Sequence, residues 1–125
     1  MRLSKQKQLR DECNALRRML LFLKDENVLL KNRFSEIIKE SFEKNLLEEA
    51  ENFHNALIRE DERIHLLRND LAGVDSLLAK TIGRENNASV ELSARLHELR
   101  NNIKIAEDQF TKLQTGFTKY FYEKM

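Results

Sequence analysis

Two short motifs hold the residue types that a metal site requires. Glu51-x-x-His54 and Glu62-x-x-His65 repeat the spacing with which di-metal helical bundles present a carboxylate and an imidazole from one turn. Those bundles draw such motifs from different helices and add further inward-pointing glutamates. Here the two motifs lie 11 residues apart in one stretch, about 16 Å along a helix axis. One chain therefore cannot bring both to the same ion. His54 falls beside the apolar row described below, and His65 and His97 fall further from it, so all three read as solvated side chains. There is no glycine-rich phosphate loop, no nucleophile elbow and no Cys/His cluster. Three glycines and no proline leave little irregular backbone, where active sites tend to lie. The expectation is a protein without catalytic residues, metal, cofactor or small-molecule substrate.

Three residues interrupt apolar rows and could carry more specific roles. Asn27 stands at a core position between Leu23 and Leu30. In a parallel two-stranded zipper such an asparagine pairs across the axis and sets register and dimer state. Glu60 is the one charge at a core position of its stretch. It either pairs with a basic residue across the bundle, such as Arg95 or Arg100, or marks a locally open core, and the sequence does not choose. Cys13, the only cysteine, reads as a small buried residue. The alternative is an interchain thiol between two parallel copies. A lone cysteine permits no internal disulfide.

Charge and aromatic residues gather at the two ends. Residues 1–20 carry six Lys/Arg against two Asp/Glu, whereas residues 36–62 carry three against nine. Arg2, Lys5, Lys7 and Arg10, with Arg17 and Arg18, could contact an anion. The cluster is sparser than the arginine-rich helices that read DNA. Nucleic acid and membrane are accordingly not the expected partners; a solvated end, or pairing with the acidic middle of another copy, is preferred. At the other end, Phe110, Phe117, Tyr120, Phe121 and Tyr122 fit five of nine aromatics into the last 16 residues. Phe110, Phe117 and Tyr120 fit the apolar row. Phe121 and Tyr122 exceed it, which makes the group Phe117, Tyr120, Phe121 and Tyr122 a candidate docking surface for a partner protein.

The elements that must position these residues follow from a 3.5-residue apolar repeat. The first block is Leu9, Cys13, Leu16, Leu20, Leu23, Asn27, Leu30, Phe34 and Ile37, with steps that alternate four and three. The second runs from Leu46 through Leu57, Ile64 and Leu71 to Leu78, and the third from Leu92 through Leu99, Ile103 and Phe110 to Tyr120. The helices are expected over about 4–43, 45–80 and 89–123, with a loop at 81–88. Ser4 is a candidate N-cap of the first. Gly83 is a candidate C-terminal cap, and the asparagines and Ser89 after it can start the third helix. The first two blocks are two residues out of phase. Either one helix continues through 38–46, with Ile38, Phe42 and Leu46 spreading the drift, or the chain turns near Lys44-Asn45 with Asn45 as cap. The absence of glycine and proline favours continuity. Gly73, inside the second block, either lets another helix approach or is a tolerated defect costing about 1 kcal/mol.

Length bounds the rest. The chain of 125 residues is one domain or less. With 34% charged residues, a net charge of +1 and a mean hydropathy of −0.62, it has no global pull toward nucleic acid or lipid. The longest apolar run, Met19–Leu23, is far short of a membrane span. The first residues lack the apolar segment of a signal peptide, and a cytoplasmic location is expected. The fold expected is all-α, an elongated coiled coil in which a long helix is followed by an antiparallel return helix; the alternative is an up-down-up three-helix bundle. The function expected is structural or adaptor-like, through self-association as a homodimer along the first block, with a helical protein as a further partner. A partner-dependent assembly chaperone or regulator docking through the aromatic end, and an anion-binding module using the basic end, are the alternatives.

Overall fold

The computed structural model describes the backbone of residues 2–40, 44–81 and 86–123, and the side chains of 5–40, 48–80 and 90–122. All described residues are helical: α1 spans Arg2–Glu40, α2 Lys44–Thr81 and α3 Asn86–Glu123. Helices of 38 or 39 residues are about 57 Å long at 1.5 Å per residue. They are built from leucine, glutamate, lysine and arginine with no proline, a composition that favours the helical backbone throughout. Such isolated helices would each expose an apolar stripe, so the stripes must close on one another.

They close as an up-down-up bundle. Arg17 pairs with Asp75 and Lys31 with Asp61, so α2 runs back along α1. Phe34 stacks on His54 near the same end of this pair. Gly73 lies opposite Arg95 and Gly116 opposite Phe53, so α3 runs back along α2. Glu12 pairs with Arg100 and Phe34 meets Phe121, which makes α1 and α3 parallel. The continuous helix across 38–46 is therefore replaced by the three-helix alternative. The two-residue phase slip between the first blocks is the spacing of a connection between helices. No glycine or proline announces it, because the burial of the apolar stripes of a 39- and a 38-residue helix decides the packing whatever the local signal.

The apolar rows of all three helices meet in one core. Leu9, Cys13, Leu16, Leu20, Leu23, Leu30 and Phe34 of α1 interdigitate with the row from Ala50 to Leu78 and with that from Leu92 to Phe121. The helix starts differ slightly from expectation. α1 begins before Ser4 and α2 before Asn45, so neither residue caps, although the surrounding helix is as expected. α3 begins at Asn86, ahead of Ser89. Gly83 and Phe42, and the side chains of Arg2 and Leu46, lie outside the described residues. Among the described residues only the Arg95 side chain approaches Gly73, at 3.5 Å from where a Cβ would stand, so this glycine is the tolerated defect and not a point of close backbone approach.

Candidate functional site

The row expected to form a homodimer seam is internal to the chain. Leu9, Cys13, Leu16, Leu20, Leu23, Asn27, Leu30 and Phe34 are buried, and Ile37 is half-buried against the same core. The heptad correctly marks a covered face, but α2 and α3 cover it. Asn27 follows from this. It is 0% exposed, and its Nδ2 donates to the backbone carbonyl of Leu57 at 3.3 Å and to Asp61 Oδ1 at 2.7 Å. Its register role is played between α1 and α2 rather than between two copies. Asp61 also receives Lys31. Cys13 is fully buried as a thiol; burial pushes its pKa up, with Arg17 opposing. Neither thiolate chemistry nor an interchain disulfide suits that environment.

Glu60 is 1% exposed and takes neither expected partner. Arg63, one turn on in the same helix, donates to Glu60 Oε2 at 2.6 Å, while Arg100 is held by Glu12. Burial raises the Glu60 carboxyl above its ordinary value, opposed by Arg63. Glu60 Oε1 and Asn27 Oδ1 are buried without hydrogen-bond partners. A heptad cannot show this arrangement, because the arginine that reaches Glu60 lies off the core row.

The aromatic end is core. Phe117 and Phe121 are both fully buried and Tyr120 is half-buried. Their rings join Phe34 and Phe53 in one cluster, with centroids 4.8 Å apart for Phe117–Phe121 and 5.2 Å for Phe53–Phe121. Phe121 lies beside the α3 row, where Phe53 of α2 and Phe34 of α1 both meet its ring. Of the four residues expected to dock a partner, only Tyr122 is exposed. The Arg33 guanidinium sits 5.3 Å from its ring centroid.

The basic start of α1 does not stand alone either. Lys5, Lys7 and Arg10 are exposed, and Lys5 shares a groove with Asp11 and Glu12, beside His97 and Arg100 of α3. Arg17 is engaged by Asp75. Among the histidines, His54 stacks on Phe34 at 6.0 Å, and His65 and His97 sit 3.4 Å from Asn69 and Asn101 of their own helices. No group of three or more His, Cys, Asp or Glu suited to a metal is present among the described residues, and none of the described helices is long and apolar enough to cross a membrane.

What remains as a site lies on the outer face of α1. Met19, Leu21, Phe22, Val28 and Leu29 are all exposed, although they sit within 11 consecutive residues. Phe22 is 66% and Leu29 59% exposed. A groove of about 610 Å³ between α1 and α3 runs past Ala15, Met19 and Phe22 on one side and Phe110, Thr111 and Gln114 on the other. The signal was present in the sequence. These five side chains are apolar yet fall off the core row, and the run Met19–Leu23 contains more apolar residues than one stripe can bury. Comparison with protein-family models, with curated proteins and with solved structures found no match.

Proposed function

We propose that this chain is a non-enzymatic helical scaffold or adaptor that acts through self-association and contact with other helices. The exposed apolar face of α1 supports this reading. A bundle that has already closed its core has no internal use for Phe22 and Leu29, and large apolar side chains grouped on a surface are the usual mark of a protein contact. The buried carboxylate, asparagine and thiol are enclosed within the bundle core, surroundings that suit structural roles. The buried thiol of a single cysteine suits a reducing, cytoplasmic setting.

The test is the solution mass by size exclusion with light scattering across a concentration series. A mass above 14.8 kDa that persists on dilution supports self-association. A mass of one chain at every concentration overturns it.

A further inference from the structure

We propose that two copies associate through α1, running antiparallel about a two-fold axis at Phe22. This rests on the self-association proposed above and names its surface and geometry.

The apolar part comes first. Ala15, Phe22 and Leu29 are spaced by seven residues and so share one row along α1. That row borders the α1–α3 groove, with Met19 beside it. When Phe22 packs on the partner's Phe22, Ala15 and Leu29 are each seven residues from the axis. Ala15 therefore lies level with the partner's Leu29, and a large side chain meets a small one on both sides of the stacked rings.

The flanking charges select the occupant and its direction. On one flank of the row stand Asp11, Arg18 and Asp25; on the other stand Glu12, Glu26 and Arg33. Around an axis at Phe22, Arg18 is four residues before and Asp25 three after, so the two lie level to within about 1.5 Å. Each Arg18 then meets the partner's Asp25, twice by symmetry. On the other flank Glu12 and Arg33 come level in the same way, but within each chain they are already engaged by Arg100 and by Tyr122, so the Arg18–Asp25 pairs set the register. Among the described residues neither Arg18 nor Asp25 has an ion-pair partner within its own chain.

Other alignments lose this match. A parallel pair sets each flank against the opposite flank of the partner, and so brings Asp11 level with the partner's Glu12 and Asp25 level with the partner's Glu26. Sliding the antiparallel pair by seven residues one way brings Asp25 to Asp25 and Glu26 to Glu26. Sliding it the other way brings Arg18 to Arg18 and Asp11 to Asp25. Like charges set directly opposite one another suppress such arrangements. The surface is self-complementary in one register, as a two-fold contact requires.

The experiment uses the full chain. Phe22→Glu changes an exposed side chain, so the helical circular dichroism is expected to stay while the mass falls to one chain. Arg18→Asp is expected to raise the dissociation constant about tenfold, and Arg18→Asp with Asp25→Arg to restore it. An equal mixture of Ala15→Cys and Leu29→Cys chains is expected to give disulfide-linked heterodimers under mild oxidation, with little linkage in either chain alone. A wild-type mass of one chain overturns this proposal together with self-association. A wild-type dimer that survives Phe22→Glu, or a charge swap that fails to restore association, overturns this interface and leaves self-association through another face.

Discussion

Asn27 and Asp61 meet across the α1–α2 boundary, where Nδ2 of the buried Asn27 donates to Oδ1 of the half-buried Asp61 at 2.7 Å at the edge of the core. A buried amide with such a partner contributes less to stability than to alignment, because desolvation offsets much of the hydrogen bond. Asn27 meets α2 at one level only, and sliding α2 by a turn would leave its amide unpaired.

Replacement of Asn27 therefore separates alignment from stability. Asn27→Asp removes the donor and sets a carboxylate against Asp61, and is expected to cost at least about 2 kcal/mol at neutral pH. Asn27→Leu fills the layer and removes the unpartnered Oδ1; it is expected to stay within about 1 kcal/mol of wild type. Urea unfolding of both variants decides the matter. Equal losses would show that the side-chain volume matters and the hydrogen bond does not.

Glu60 makes stability depend on pH. Its folded carboxyl titrates above the ordinary value of 4.5, chiefly through burial, with Arg63 opposing and Asp61 adding to the rise. The folded state thus holds a proton that the unfolded state has released. The stability contribution is full below the ordinary value and is lost as pH rises through the folded one. Glu60→Gln removes this titration. The difference in unfolding free energy between Glu60→Gln and wild type is expected to grow in favour of the variant as pH rises from 4 toward 7, measured by urea titration. A difference that does not change with pH would sink the assignment.

The aromatic cluster holds one end of the bundle together. Phe121→Ala or Phe117→Ala opens a cavity in the core and is expected to cost about 3–5 kcal/mol. Tyr122→Ala removes a half-exposed ring and its contact with Arg33 and is expected to cost under about 1 kcal/mol. Thermal melts of the three variants test the order. Truncation after Gly116 removes Phe117 and Phe121 together and is expected to lower the melting temperature of the whole bundle. A truncated chain that melts like wild type would contradict the core assignment.

Two glycines leave room for improvement. A Cβ at Gly73 would stand 3.5 Å from the flexible end of Arg95, and one at Gly116 would stand 3.9 Å from Phe53 Cε1; both are ordinary contact distances. Gly73→Ala and Gly116→Ala are each expected to stabilise by about 1 kcal/mol, or about 4 °C in melting temperature. A loss of stability at Gly73 would mean that Arg95 cannot move aside.

Periodicity decided a good deal before any tertiary contact was known. The alternation of Leu16, Leu20 and Leu23, of Leu57, Ile64 and Leu67, and of Leu96, Leu99 and Ile103 specifies three helical stretches, each with one buried face. The sequence favoured joining the first two into one helix, which the antiparallel packing of α1 and α2 overturned. The end of α2 at Thr81 and the start of α3 at Asn86 are legible because glycine and asparagine leave a local signature in the sequence. Tertiary structure decided what covers each face. A heptad demands burial but does not name the helix that supplies it, and a second copy or a neighbouring segment satisfies it equally well. Connection within one chain makes the neighbour present at high effective concentration, so α2 and α3 take the face that could have formed a dimer. The same step moved Asn27 from an intermolecular to an intramolecular role and turned Phe121 inward. It gave Glu60 a partner on its own helix, and left Phe22 and Leu29, off the row and uncovered, as the surface still to be matched.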